Sequence, residues 1–164
     1  YMIVDPVVIG SSNLAEPWSA CRTGFSVVES AESVRGSGVR DVLPREGPGL
    51  VEADLSIAGL AGLRQTLETP MRAATRHAFL VDVRASVGAE LTLELWGSQR
   101  ECVATHKLAE VAPISDQDWQ TVCVRFTPTV DTPQLILRPV SRNLAADLNA
   151  RLFFDDLRAD PSCR

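Results

Sequence analysis

The segment NARLFFDDLRADPSC, residues 149–163, places two adjacent carboxylates, Asp155 and Asp156, directly behind two phenylalanines. An apolar run of this kind is typical of a buried strand. A carboxylate that enters a core is costly unless it is paired, hydrogen-bonded or bound to a metal ion. The aspartate pair is therefore predicted to serve as a structural interaction, a cation site or a catalytic pair.

The spacing of these aspartates argues against catalysis. Paired acids in glycoside hydrolases converge from different elements and lie about 5 to 9.5 Å apart across the substrate. Successive side chains on a strand point to opposite faces, so Asp155 and Asp156 cannot flank one bond. His77 and His106 have no metal-ligand spacing, and the sequence has no nucleophile elbow, Walker loop or dinucleotide fingerprint. We therefore predict that the chain is not an enzyme.

Period-two alternation of apolar residues predicts the strands that must position these groups. It is clearest in FLVDVRAS (79–86), AELTLELWGS (89–98) and WQTVCVRFTP (119–128), with turn clusters between the runs. Helical signals are few, and AEVAPISDQ (109–117) is cut by a proline. Antiparallel sheets with one buried face alternate in this way. We predict an all-β antiparallel sandwich that forms a single domain over residues 1–164.

Composition and charge limit the partners. Hydrophobic residues make up 45% of the 164 residues, which is ordinary for a globular protein. The net charge of −5 removes the electrostatic case for nucleic acid or an anionic membrane surface. No apolar stretch approaches the ~20 residues that a membrane span needs. We predict no nucleic-acid partner and no membrane span.

The four cysteines predict disulfides. None forms a C-x-x-C pair, which excludes zinc-knuckle and thioredoxin-type sites. We favour Cys102–Cys123, because both residues lie on strand-like segments close in sequence, and Cys21–Cys163, which would tie the chain ends together. The cysteine count favours an oxidising compartment and hence a secreted, periplasmic or cell-surface protein. The alternative is that all four are buried free thiols.

Three segments are informative as an ordered set: GLRQTLETPMRAATRHAFLVDVRA (62–85), DQDWQTVCVRFTP (116–128) and LFFDDLRA (152–159). Together they resemble the glucan- and xylan-binding carbohydrate-binding modules with a galactose-binding-domain-like fold. The first segment resembles the modules' glutamine-containing strand, loop and aromatic strand. The second resembles their later Trp-led strand, and the third their closing strand with its Asp-Asp pair. The resemblance implies a β-sandwich of the jelly-roll type.

The same resemblance implies a structural Ca²⁺ ion between the closing strand and the chain start. Asp155 or Asp156 would supply one ligand, and Glu16, the acid that precedes the first tryptophan, would supply another. Calcium takes six to eight oxygen ligands, and a strand-end carboxylate beside loop carbonyls is a reasonable nucleus for such a site. The alternative is that an aspartate caps backbone N–H groups or pairs with an arginine such as Arg22 or Arg158.

The candidate ligand-binding residues lie on faces that the alternation turns away from the core. Thr92, Glu94 and Trp96 oppose the leucines of their strand, whereas Asp82 and Arg84 oppose the phenylalanine and valines of theirs. An aromatic ring beside a carboxylate can stack on a sugar ring and accept hydrogen bonds from its hydroxyls. We predict that these five residues form one sugar-binding platform. The alternative is that Trp96 packs under a loop at the end of its strand.

These observations lead to two hypotheses of function. The ordered match of strands favours a non-catalytic carbohydrate-binding module that binds a glycan or polysaccharide. The low aromatic content of 5% favours a structural or protein-interaction domain of an envelope protein, with the same fold and no sugar site. Fold alone does not decide between them, because function resides in the site that a fold carries.

Overall fold

The computed structural model describes residues 18–20, 25–28, 50–55, 62–86, 89–100, 102–115, 118–141 and 150–163. These residues form ten strands, and none of them is helical. In this part of the chain there is no helix with the length and hydropathy that a bilayer crossing needs.

The strands are rich in leucine, valine, isoleucine and phenylalanine, whose side chains suit a pleated, half-buried surface. Their bounds are β1 Trp18–Ala20, β2 Phe25–Val28, β3 Leu50–Asp54, β4 Leu63–Met71, β5 His77–Ala85, β6 Leu91–Ser98, β7 His106–Ile114, β8 Gln120–Phe126, β9 Thr132–Ser141 and β10 Arg151–Ala159.

Two five-stranded sheets make up the fold. The first sheet has the strand order β1-β4-β9-β6-β7, and the second has the order β2-β3-β10-β5-β8. All strand pairings are antiparallel. Strands that follow one another in the chain mostly alternate between the two sheets, so the connections cross the ends of a sandwich, as in a jelly roll. The predicted all-β antiparallel jelly-roll sandwich is confirmed.

The core lies between the two sheets. Leu91, Leu93 and Leu95 of β6 are buried from the first sheet, and Phe79 and Val81 of β5 are buried from the second. All of them belong to one hydrophobic cluster. Each such side chain contributes about 1.5–3 kcal/mol when it is fully buried, so this layer holds the sheets together. The alternation predicts both inward faces, and the burial confirms them.

Strand β7 differs from its sequence pattern, which suggested at most an interrupted helix. It lies at the edge of the first sheet, beside β6. A proline is tolerated on an edge strand because its missing N–H can face away from the neighbouring strand. Pro113 occupies such a position, and the Ala112–Pro113 peptide bond is cis. Pairing with β6 therefore overrides the weak local signal.

The disulfide that the structure describes joins Cys123 to Cys163, with a Cα–Cα distance of 5.8 Å. The predicted pairings Cys102–Cys123 and Cys21–Cys163 are therefore wrong. Cys102 is also disulfide-bonded, which agrees with the prediction that it is not a free thiol. Cys21 lies outside the described residues.

Strand order explains this error. β5 lies between β10 and β8 in the second sheet. Beyond β10, the Asp160 N–H donates a hydrogen bond to the carbonyl of Ala78 on β5, over 3.2 Å. The segment that follows β10 therefore lies across β5, and Cys163 reaches Cys123 on β8. Cys102 belongs instead to the connection between β6 and β7, on the first sheet. Proximity along the chain did not indicate which sheet each cysteine joins.

Gly97 and His106 are paired across β6 and β7. A Cβ at Gly97 would lie only 2.3 Å from Nε2 of His106, so glycine is needed to leave room for the imidazole. The two ring nitrogens lie 3.0 Å and 3.2 Å from the hydroxyls of Thr105 and Thr132. These contacts fix the end of β6 immediately after Trp96.

We expect non-reducing peptide mapping to recover Cys123 and Cys163 in one linked peptide. Replacing both by serine should lower the free energy of unfolding by about 2–4 kcal/mol, because the bridge spans 40 residues of sequence and restricts the unfolded chain. Chemical denaturation measures this change, with the exposed Thr129→Ala as a control that leaves the bridge intact. Recovery of a Cys102–Cys123 peptide would contradict the structure.

We expect Gly97→Ala to lower the free energy of unfolding by about 1–3 kcal/mol, which is the typical cost of overpacking. His106→Ala removes the ring that a Cβ would meet. The double variant should therefore lose less free energy of unfolding than the sum of the losses of the two single variants. Urea denaturation of the wild type, both single variants and the double variant measures the coupling. Strict additivity would show that the imidazole is not the group that excludes the Cβ.

Candidate functional site

The residues predicted to form one platform lie on two different outer faces. Thr92, Glu94 and Trp96 are on β6 of the first sheet, whereas Asp82 and Arg84 are on β5 of the second. Both sets point away from the core, but from opposite sides of the sandwich, so the prediction of a single platform is wrong. Thr92 is also only 6% exposed and is not available to a ligand.

Trp96, Glu94 and Lys107 form a connected group on the outer face of the first sheet. The indole Nε1–H of Trp96 donates to Oε1 of Glu94 over 3.1 Å, and Nζ of Lys107 lies 3.3 Å from Oε2 of the same carboxylate. Trp96 is half-buried, and the Glu94 side chain is 17% exposed. Both carboxylate oxygens are thus engaged by the protein, and the polar edge of the indole is held in place.

Lys107 balances two carboxylates that the strand register places side by side. Glu94 and Glu110 are direct partners in the β6–β7 pairing, and like charges in that position repel. Nζ of Lys107 lies 2.6 Å from Oε2 of Glu110. Its hydrogen bond to Glu110 is the main cause that raises the pKa of Lys107, and Glu94 adds to the effect. The ammonium, which belongs to the chain's only lysine, therefore holds this edge together.

On the β9 side of this face, two successive outward-pointing residues differ in character: the first is apolar and the second is basic. In the β6–β9 register Ile136 is the partner of Trp96, and Arg138 is the partner of Glu94. Ile136 is fully buried although it points away from the core. The chain at Gly62 passes close over it, since a Cβ there would lie 2.5 Å from Cγ2 of Ile136. Arg138 is exposed.

We call the surface formed by Trp96, Glu94, Lys107, Glu110 and Arg138 the Trp96 face. Its centre is an aromatic ring with a fixed polar edge, and its surroundings are charged hydrogen-bond donors and acceptors. Such a surface can stack on a sugar ring and hydrogen-bond to its hydroxyls. Of the five residues predicted from the sequence, Trp96 and Glu94 are the two that the structure places here in at least partly accessible positions.

The outer face of the second sheet buries two of the carboxylates that the sequence singled out. Asp82, Phe153 and Asp155 all point away from the core and are nevertheless buried. Asp82 is opposite Asp155 in the β5–β10 register. The Thr121 hydroxyl donates to the Asp82 carboxylate, and Nη1 of Arg158 lies 3.9 Å from its other oxygen. Asp82 therefore has a structural role in this layer, not the ligand-binding role that the sequence predicted.

Arg84 packs against an aromatic ring on the same side of the sandwich. Its guanidinium lies 5.9 Å from the ring centroid of Trp119, which is within the range of a cation–π interaction. Its Nε is buried and has no hydrogen-bond partner. Burial lowers the pKa of Arg84, and the charge of Asp118 partly opposes this change. Arg84 is thus held by packing and lies far from the platform for which it was predicted.

The predicted calcium ligands are Glu16, Asp155 and Asp156. The side chains of Glu16 and Asp156 lie outside the described residues. Among the side chains that are described, no cluster of three or more histidine, cysteine, aspartate or glutamate residues is arranged to hold a metal ion. The calcium site therefore stays a prediction, and its described member, Asp155, is buried opposite another carboxylate.

Sequence reasoning missed three members of the Trp96 face: Lys107, Glu110 and Arg138. All three lie on strands that flank β6, and their proximity to Trp96 follows from register, which the alternation within one strand does not specify. A signal was present for Lys107, because it is the only lysine and it begins an alternating segment. The proline in that segment concealed the strand.

No protein-family model matches the sequence, and comparison with curated proteins finds no match. Solved structures do match. A family 16 carbohydrate-binding module superposes with a TM-score of 0.54 at 12% identity, covering 88% of this chain and 91% of that one. The CBM22-1 xylan-binding domain from Paenibacillus barcinonensis gives a TM-score of 0.54 at 16% identity, covering 87% of this chain and 83% of that one.

A further match is the K1 cleaved adhesin domain of Lys-gingipain from Porphyromonas gingivalis W83. Its TM-score is 0.55 at 10% identity, with 90% of this chain and 92% of that chain covered. Sequence identities this low support a shared fold, but they do not indicate a shared ligand. This chain has the jelly-roll fold of carbohydrate-binding modules.

Proposed function

We propose that this chain is a non-catalytic carbohydrate-binding module of a secreted or cell-envelope protein, and that it binds a polysaccharide through the Trp96 face. One observation carries the proposal: on the outer face of a carbohydrate-binding-module jelly roll, the Trp96 indole N–H is held by Glu94 at 3.1 Å. A ring that is already oriented loses little conformational freedom when a sugar stacks on it.

Each neighbour of Trp96 has a defined part in this proposal. Glu94 orients the indole, because one of its oxygens accepts the indole N–H and the other accepts from Lys107. Glu110 and Arg138 are exposed at the rim and provide an acceptor and a donor for sugar hydroxyls. The sequence suggested that Glu94 orients the sugar hydroxyls. In our proposal its neighbours Glu110 and Arg138 have that role instead.

The arrangement of the two glutamates supports binding without catalysis. Glu94 and Glu110 share the Lys107 ammonium at 3.3 Å and 2.6 Å. Each carboxylate is therefore engaged by a cation of the protein itself, which offsets the repulsion between two acids that the strand register places side by side. Charge balance explains this pair more simply than acid–base chemistry does.

The disulfide supports the proposed compartment. A bridge between Cys123 and Cys163 persists in oxidising environments such as the periplasm, the cell surface and the extracellular space. A module with this fold and a disulfide suits a protein exposed to polysaccharide outside the cytoplasm.

Trp96→Ala should weaken polysaccharide binding by about 1–3 kcal/mol, the loss typical of a central aromatic anchor, and should leave the fold intact. Affinity electrophoresis against xylan, β-glucan and galactan identifies the ligand, and calorimetry measures the change. Xylan is the first probe because one structural neighbour is named as a xylan-binding domain. The matched control is Trp119→Ala, since that ring lies on the opposite side of the sandwich and should not affect binding.

Two outcomes would contradict this function. Binding that is lost in Trp119→Ala and kept in Trp96→Ala would place the site on the second sheet. Unfolding of Trp96→Ala, together with no binding of any glycan by the wild type, would make Trp96 a packing residue. The alternative function, a protein-interaction domain of an envelope protein, would then be the better one, and the fold shared with a gingipain adhesin domain is compatible with it.

The calcium site is also open to a direct test. If Asp155 or Asp156 ligates calcium, EDTA should lower the melting temperature of the wild type, and added Ca²⁺ should restore it, because an ion that binds only the folded state stabilises it by mass action. Asp156→Asn and Asp155→Asn, measured separately, show which residue is the ligand. A wild-type melting curve that EDTA does not change would leave only a capping or ion-pair role for these aspartates.

A further inference from the structure

Arg138 is exposed on the Trp96 face and lies directly opposite a carboxylate with which it does not pair. In the β6–β9 register its partner is Glu94. Residues in that relation have Cβ atoms about 4.5–5.5 Å apart, so opposite charges commonly form an ion pair. Glu94 instead directs one oxygen to Trp96 and the other to Lys107, on the β7 side. Across the described residues no ion pair or hydrogen bond to the Arg138 side chain is formed.

The position of Arg138 relative to Trp96 suits a single bound sugar. Arg138 is the diagonal neighbour of Trp96, because the partner of Trp96 is Ile136, two residues earlier on β9. Diagonal neighbours in a sheet lie about 7–8 Å apart, within reach of a long side chain. A guanidinium there can reach a substituent of a sugar ring that is stacked on Trp96.

The chemistry of the free guanidinium selects the substituent. Arginine stays charged at all working pH values, and its planar fork matches a carboxylate with two parallel hydrogen bonds. A sugar hydroxyl uses only part of that fork. On the other side of Trp96 the two glutamates already share Lys107. Within the part of the chain that the structure describes, Arg138 is thus the cation of the Trp96 face that has no ion-pair partner.

We propose that the Trp96 face recognises an acidic polysaccharide, with a sugar stacked on Trp96 and the carboxylate of a uronic acid bound by Arg138. This rests on the proposed function, since it specifies the ligand class of the same site. The net charge of −5 disfavours general attraction of a polyanion. Recognition of the acidic chain therefore depends on the local contact with Arg138.

The test compares two forms of one polysaccharide: glucuronoxylan, and the same material after its carboxyl groups have been reduced to alcohols. The wild type should bind the acidic form about tenfold or more tightly than the reduced form, as expected for a charge-assisted hydrogen bond. Arg138→Gln should bind both forms with the affinity that the wild type has for the reduced form. Trp96→Ala should weaken binding of both forms to a similar extent.

The matched control is Arg125→Gln. Arg125 is an exposed strand arginine on β8 of the other sheet, so the variant makes the same change in charge on the opposite side and should keep the acid preference. Circular dichroism verifies the fold of each variant. If Arg138→Gln does not fold, Arg138→Lys replaces it, and its acid preference should fall because an ammonium lacks the planar fork.

The possible failures are distinguishable. Equal wild-type affinity for both forms, with binding still weakened in Trp96→Ala, would overturn the role of Arg138 and leave the carbohydrate-binding function standing. Absence of binding to any glycan would remove both proposals. Tighter binding of a sulfated xylan than of glucuronoxylan would overturn the carboxylate assignment, because the site would then respond to anionic charge and not to the planar group.

Discussion

The burial of one face of each sheet against the other is the constraint on which the rest of this structure depends. Leu93 from the first sheet and Val81 from the second belong to one hydrophobic cluster. Because side chains alternate along a strand, this packing also forces Trp96 and Arg84 outward, on opposite sides of the sandwich. The core therefore positions the Trp96 face without contributing a single residue to it.

The two outer faces are used differently. On the second sheet the outward Asp82, Phe153 and Asp155 are buried, and the chain end is fastened across that sheet by a disulfide. On the first sheet Trp96 is half-buried and Arg138 is exposed. Polar groups on the second face thus serve its own packing, whereas the first face presents a ring and charges to solvent, as a binding surface requires.

On the Trp96 face, the described ion pairs lie on the β7 side of Trp96. Lys107 contacts both Glu94 and Glu110, which removes the repulsion between two carboxylates that the strand register brings together. Because its two oxygens contact Trp96 and Lys107, Glu94 makes no ion pair with Arg138, which has no ion-pair partner among the described residues. Glu94 therefore orients the indole with one oxygen and is held by Lys107 through the other.

Alternation within single strands was sufficient to predict the all-β sandwich, the inward faces of β5 and β6, and the outward position of Trp96, because the direction of a side chain follows from strand geometry alone. It was insufficient to show that β5 and β6 belong to different sheets, that Lys107 and Arg138 flank Trp96, or that Cys123 bonds to Cys163. Those facts depend on strand order and register, which are set by contacts between residues distant in sequence. The sequence thus determined which side chains leave the core, and only the tertiary structure decided which of them meet.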